Sequence, residues 1–229
     1  MILGNQQPYL FPYIGYWQLV NLSDIYVISD SMQYVKKSYI TRNYILIQDK
    51  QHKFSLEVLG VHLGDLINEV EVGNNAEKIL KSIFYTYKKA PYFEKIYPIL
   101  EQILLNDEKN LAKYIGYSIE RIARYFDMNT KFIYESTLEV DISLEAEAGI
   151  IDICKKFNSD QYINAIGGQT LYSKENFLNE GIMLAFLKME DITYKQFHNE
   201  FIPNLSIIDV MMFNSKDEIK KMFTKYVLL

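Results

Sequence analysis

The sequence predicts an α/β fold: a Rossmann-like, mostly parallel five-strand sheet with an inserted β-hairpin and helical block at approximately residues 38–126. Three observations lead there. Short apolar runs rich in Ile, Val, Tyr and Phe recur at residues 2–7, 24–30, 131–135, 161–165 and 182–187, the length of buried strands. Segments with helical spacing separate most of them, as when parallel strands are joined by crossover helices that cover both faces of the sheet. Gly, Pro, Asn and Asp punctuate the joints.

Taken in order, residues 2–7 form a strand that runs into the turn segment Pro8 to Gly15, and Tyr16 to Leu22 reads as a helix. Asp24 to Asp30 is the second strand, completing a β-turn-helix-β unit. Alternation on both sides of Gln48-Asp49-Lys50-Gln51 predicts an antiparallel hairpin. Helical spacing then runs from about Ala76 to Phe126, broken at Pro91 and again at Asn106-Asp107. Lys131 to Glu135 is a strand, Ser143 to Phe157 an amphipathic helix, Gln161 to Ala165 a strand and Leu171 to Asn179 a helix. Gly181 caps that helix ahead of the strand Ile182 to Leu187. Ile207 to Phe213 and Lys216 to Tyr226 read as closing helices. No linker, repeat or low-complexity stretch interrupts the series, so residues 1–229 are expected to form a single domain.

Composition narrows the function classes. Of 229 residues, 49% are hydrophobic and 23% charged, enough apolar surface for one large core and too little polarity for disorder. A net charge of −5 argues against DNA and other phosphate-backbone partners, whose binding rests on Lys and Arg. No segment is long and apolar enough for a membrane span, and no secretory leader is evident, so a cytoplasmic location is expected. Cys154 has no partner for an internal disulfide and sits in an apolar helical pattern, as a small core residue does. The composition also includes 19 Tyr and 13 Phe. Helical positions such as Tyr85, Tyr87, Tyr114 and Tyr117 point first to packing, although tyrosine also suits the wall of a pocket for a polar ligand.

In doubly wound sheets ligands bind beyond the carboxyl ends of the strands. Polar groups follow four of the five strands. Gln7, Tyr9 and Tyr16 lie after the first. Asp30, Gln33 and Tyr34 lie after the second, with Arg42 and Asn43 close behind in the hairpin. Asn164, Gly167, Gly168 and Tyr172 follow the fourth, and Gln196, His198, Ser206 and Asp209 the fifth. Asp30 is a candidate base or hydroxyl ligand, with a turn carboxylate as the alternative. Arg42 has the fork geometry that grips carboxylate or phosphate. Gly167-Gly168 leaves backbone N–H groups open to an anion, or is an ordinary turn. Ser206 with Asp209 reads first as a helix cap. His198 is the one histidine considered for catalysis. No metal site is expected, because no His or Cys pair has ligand spacing. Walker, dinucleotide-binding and nucleophile-elbow motifs are absent from the sequence, and no cofactor is assigned.

Several ordered motifs are specific. Gln7-Pro-Tyr-Leu-Phe-Pro-Tyr-Ile-Gly-Tyr16, Asp30-Ser-Met-Gln-Tyr34, Arg42-Asn43, Lys89-Ala-Pro-Tyr-Phe93, Tyr162-Ile-Asn164 with Gly167-Gly168 and Leu171-Tyr172, and Leu205-Ser-Ile-Ile-Asp209 together resemble the WbqC-like protein family. Members of that family occur in O-antigen and other surface-polysaccharide gene clusters, and a glycine transferase role has been suggested for some. The resemblance implies a nucleotide-linked amino sugar as substrate and a small acyl or aminoacyl donor, such as glycine, as partner. Ser31 stands where the family often has a second Asp, so paired carboxylates are not expected here.

A weaker similarity, in the order of the first strand, its turn and helix and the late Leu-Ser-Ile-Ile segment, is to nucleotidyltransferases and acid-amine ligases. Those enzymes use a histidine-bearing loop; here Tyr16 occupies the second histidine position and the N-terminal loop has none. Three readings follow: a transferase with Asp30 or His198 as base, a non-catalytic sugar-nucleotide-binding scaffold, and an ATP-dependent ligase.

Overall fold

The computed structural model describes residues 1–139, 146–197 and 200–229. In chain order the first elements are β1 (Ile2–Gln6), α1 (Ile14–Leu22) and β2 (Ile25–Ile28), followed by the hairpin β3 (Arg42–Ile47) and β4 (Lys50–Ser55). A small antiparallel pair, β5 (Val58–Leu59) and β6 (Glu71–Val72), leads into α2 (Ala76–Tyr87), α3 (Phe93–Leu104) and α4 (Leu111–Tyr125). Strand and helix then alternate: β7 (Lys131–Tyr134), α5 (Ala146–Lys156), β8 (Gln161–Ala165), α6 (Lys174–Asn179) and β9 (Met183–Met189). The chain ends with α7 (Ile207–Phe213), α8 (Lys216–Met222) and β10 (Tyr226–Leu228).

The central sheet has six strands in the order β10-β9-β8-β1-β2-β7. All neighbours are parallel except β10, which pairs antiparallel with β9. Counting the five parallel strands by their place in the chain gives 3-2-1-4-5, the doubly wound order. The order reverses between β1 and β8, and a ligand crevice is expected beyond their carboxyl ends.

The five strands read from the sequence are the five parallel ones. The sixth is a correction: Lys216 to Tyr226 was expected as one helix, but the helix ends at Met222 and residues 226–228 join the sheet edge. The helical start is strong because Ser215 and Glu218 form a reciprocal capping box, whereas Tyr226-Val227-Leu228 has strand character and an open neighbour to pair with.

Strand alternation sends side chains into two cores. Tyr26, Ile28, Ile163 and Leu187 face the larger one, which also takes in α1 and the inserted helices. Leu3, Ile25, Val27, Tyr162, Leu184 and Phe186 face the smaller one, against Ile150, Ile153 and Cys154 of α5 and Phe177 of α6. Cys154 is fully buried there, and burial pushes its thiol up to about 12. Gly4 sits in the middle of β1 because any side chain would overlap the Ser23 hydroxyl at the end of α1.

The hairpin turns at Gln48 and Asp49, both with positive φ (48° and 60°), the conformation that matches the twist of two paired strands. In α4, Leu111, Ile115, Ile119 and Ile122 make the buried stripe, and Asn110 caps the helix by accepting from the Lys113 N–H at 3.1 Å. Tyr87 and Tyr114 are buried as packing residues, while Tyr85 is mostly exposed.

Candidate functional site

Beyond the carboxyl ends of β1, β2 and β7 the backbone delivers Asn5, Ser29, Asp30 and Glu135 to one place. Asn5 is buried and donates from Nδ2 to the Ser29 hydroxyl at 2.5 Å. Asp30 is buried too, and Ser136 satisfies both of its oxygens: the backbone N–H donates to Oδ1 at 2.9 Å and the hydroxyl to Oδ2 at 2.6 Å. Asp30 therefore ties the loop after β2 to the end of β7. Glu135 stands half-buried beside it. Burial raises its carboxyl above the ordinary glutamate range; a hydrogen bond with Ser29 works against this, and the neighbouring Asp30 charge adds to it.

Across the reversal point, β8 supplies Tyr162 and Asn164. Asn164 Nδ2 donates to the Tyr162 hydroxyl at 3.1 Å, while its Oδ1 accepts from the Ala165 N–H at 2.7 Å. Tyr172 meets Tyr162 edge-on, with ring centroids 5.8 Å apart. Burial, reinforced by Tyr172, holds the Tyr162 hydroxyl well above the ordinary tyrosine range, so it stays a neutral donor. Gly167 and Gly168 lie within a short 3-10 helix, Ile166–Thr170. A Cβ at Gly168 would come within 2.9 Å of the Asn164 amide, whereas Gly167 faces open space. Gly168 thus makes room for Asn164.

The loop after β1 builds a second compartment. Gln7 Nε2 donates to the Tyr9 hydroxyl at 3.1 Å, and the Gln7 carbonyl accepts from the Tyr16 hydroxyl at 3.5 Å. Tyr9 lies between Tyr16 (5.6 Å between centroids) and Tyr39 (6.2 Å). A cavity of about 400 Å³ is lined by Tyr9, Tyr13, Tyr39, Asn43 and Asn204. Its floor is held by Asn43, whose Nδ2 donates to the carbonyls of Leu10 (3.1 Å) and Phe11 (2.6 Å). Phe11 has φ +48, and its carbonyl also accepts from the Ser206 hydroxyl at 2.9 Å. Gly15 lets the Tyr13 ring fold over the start of α1, since a Cβ there would lie 2.5 Å from that ring. Arg42 lies over the face of Tyr39, 5.8 Å from its centroid.

Other residues singled out from the sequence lie elsewhere. Gln33 is exposed and bridges to Leu66, and Tyr34 is buried, with its hydroxyl 3.3 Å from Thr41 Oγ1. Asp209 and Gln196 are buried together, and Ser206 caps α7. His198 lies outside the described residues. Glu135 closes the third strand of the sequence, where nothing in the local pattern signals a site; only the fold brings it beside Ser29 and Asp30. Among the described residues no group of three His, Cys, Asp or Glu side chains could hold a metal ion, and no helix is long and apolar enough to cross a membrane.

The sequence model of the WbqC-like protein family matches residues 7–221. The chain belongs to this family. The match begins at Gln7, so it takes in the tyrosine-lined cavity and the carboxyl ends of β2, β7, β8 and β9 in this WbqC-like protein. A relative with 21% identity over 205 residues, covering 87% of this chain and 88% of its own, is the uncharacterized protein Rv1507c of Mycobacterium tuberculosis. No solved structure matches the chain.

Proposed function

We propose that this WbqC-like protein is a transferase that acylates the amino group of a nucleotide-linked amino sugar, with glycine or a similarly small acyl group, in surface-polysaccharide assembly. The observation that carries the reading is Glu135, a half-buried carboxylate with a raised pKa at the carboxyl end of the edge strand β7, beside Asp30 and within electrostatic reach of Tyr162 and Tyr172 across the mouth of the doubly wound sheet. An amine attacks a carbonyl carbon only with its lone pair free, and a carboxylate with a raised pKa is a better acceptor for the proton that must leave. In this reading the amine attacks the acyl carbon, Glu135 takes the nitrogen proton, and the donor's leaving group departs with its electron pair. Asn164 and Tyr172 hold sugar hydroxyls from the β8 side, with the buried Tyr162 hydroxyl behind them orienting the Asn164 amide.

This assignment moves the base from Asp30 to Glu135. Both Asp30 oxygens already accept from Ser136, so its role is to position the end of β7. The test is incubation of the protein with UDP-, dTDP- and GDP-linked amino sugars and with glycyl thioester, glycyl-tRNA or glycine plus ATP, read by mass spectrometry. The expected product is an amino sugar nucleotide heavier by one glycyl residue, formed by the wild type and only at a small residual rate by Glu135→Gln. Product at the wild-type rate from a folded Glu135→Gln protein would remove Glu135 from the mechanism, and no product from any pairing would sink the transferase reading.

A further inference from the structure

The Arg42 guanidinium lacks what a buried or half-buried cation ordinarily has. Among the described residues it makes no salt bridge and no hydrogen bond, and its Nε is shut off from solvent without an acceptor. Burying an unsatisfied charged donor is unfavourable unless a partner arrives. The guanidinium is set in place by its position over Tyr39. Tyr39 is about half exposed (48%), an unusual fate for so large a ring, and it continues a tyrosine row from Tyr16 through Tyr9 to Tyr44. Tyr9 and Tyr39 of that row line the 400 Å³ cavity together with Tyr13. Asn43 and Asn204 add amide groups to the lining, and Arg42 sits against the Tyr39 ring that forms part of it. The volume suits a small organic ligand.

The elements around the cavity are each held in shape from behind. Asn43 and Ser206 fix the Phe11 carbonyl, Gly15 makes room for Tyr13, and Asn204 has a left-handed backbone (φ +58). A site with flat aromatic faces, edge amides and one unneutralised guanidinium selects a ligand with a planar ring and an adjacent anion. Aromatic faces stack on rings, amides read ring edges, and the guanidinium grips phosphate oxygens in pairs.

We infer that the cavity of Tyr9, Tyr13, Tyr39, Asn43 and Asn204 is a nucleoside diphosphate subsite, in which the base stacks on Tyr39 and Tyr9 and the diphosphate is bound by Arg42. The inference deepens the transferase reading, since it separates the half of the substrate that is recognised from the half that reacts. It rests on that reading only for the sugar: the nucleotide half is tested alone.

The experiment is calorimetric titration of UDP, dTDP, GDP and ADP, without sugar or acyl donor, into wild type and into Arg42→Gln, Tyr39→Ala and, as a charge control, Lys88→Gln at the exposed residue that follows α2. Circular dichroism confirms that each variant is folded, and the exposed position of Tyr39 keeps the test open if Arg42→Gln is not. At least one nucleoside diphosphate binds wild type; Arg42→Gln and Tyr39→Ala each weaken it about tenfold or more, the scale of a lost ring stack or bidentate contact, and Lys88→Gln leaves it unchanged. Pyrophosphate and the bare nucleoside each bind more weakly than the diphosphate.

Absence of binding by all four nucleotides overturns the inference, as does affinity that survives both cavity substitutions or is matched by pyrophosphate alone. A protein that binds the nucleotide in this way yet never transfers an acyl group sinks the transferase reading and leaves this one standing. One that transfers with a KM indifferent to Arg42 and Tyr39 does the reverse.

Discussion

The Tyr87 hydroxyl donates to Asp209 Oδ1 at 2.7 Å, joining α2 to the first turn of α7 across 122 positions of sequence. The same hydroxyl accepts from the Leu46 N–H at 3.1 Å, so the hairpin is tied in as well. Tyr194 (2.7 Å) and Gln196 Nε2 (2.9 Å) complete the shell by donating to Oδ2. Asp209 is fully buried with no cation beside it among the described residues, and its charge is dispersed over three donors. Removing the carboxylate strands all three. Asp209→Ala is expected to lower stability by roughly 3 kcal/mol, measured as a drop in the urea midpoint at constant slope. A loss below about 0.5 kcal/mol, the range of ordinary surface changes, would mean that the donors find other partners.

The same carboxylate gives a pH signature. Burial raises its folded-state pKa above 3.8, against the three hydrogen bonds that draw it down. A carboxyl raised on folding binds its proton more tightly in the native state, so its contribution is full below 3.8 and is lost as pH rises through the raised value. Wild type should therefore gain stability relative to Asp209→Asn as pH is lowered from neutral toward 4. A difference in urea midpoints that stays flat over that interval would show that Asp209 does not titrate there.

Gly116, on the buried face of α4, faces the hydroxyl end of Tyr134, and a methyl group there would overlap it. Gly116→Ala should cost about 1–3 kcal/mol by overpacking, although alanine is the better helix former. In a Tyr134→Leu background the cost should shrink by more than ~1 kcal/mol, as coupled neighbours do. Equal costs in both backgrounds would place the strain elsewhere.

Asn43 is the clamp on the loop that follows β1. Asn43→Ala leaves the Leu10 carbonyl without this donor and the Phe11 carbonyl with Ser206 alone, and is expected to destabilise by about 1–3 kcal/mol. It should also weaken nucleotide binding, because Phe11 is held at a positive φ that the loop does not favour by itself. Thermal shift with and without nucleotide separates the two effects. An unchanged nucleotide-induced shift would mean that the cavity does not depend on the clamp.

If Glu135 is the base, the rate of acyl transfer should rise with pH through its folded-state pKa, which lies above 4.5, since only the ionised carboxylate can accept a proton. The acid limb of the kcat/KM profile should disappear with Glu135→Gln. An identical limb in the residual activity of that variant would assign it to another group.

Much of this was legible in the chain. The parallel strands announce themselves as apolar runs between helical segments, and Gln48-Asp49 marks the hairpin. The edge strand Tyr226–Leu228 was hidden because its identity depends on β9 being there to pair with, which local pattern does not carry. In the site, Arg42, Asn43, Tyr9 and Asn164 were chosen for their chemistry and fall at strand ends or in the cavity wall. Asp209 and Gln196 were chosen on the same grounds and are packed into a buried knot with Tyr87 and Tyr194. Polar residue type does not say whether the partner is a ligand or another side chain. That distinction needs the contacts that only the folded chain makes.

β1 is flanked by β2, which follows it closely, and by β8, whose Gln161 pairs with Ile2. During synthesis the first of these partners emerges almost at once, but the second arrives only after well over a hundred further residues. At typical translation speeds the interval is on the order of ten seconds. For that time one side of the innermost strand has no neighbour, and the nascent chain presents unpaired N–H and C=O groups beside the exposed Leu3 face. Mistakes in manufacture should concentrate in this window, so yield in a cell will respond to elongation speed and chaperone supply at codons 30–160 more than to the final stability of the product.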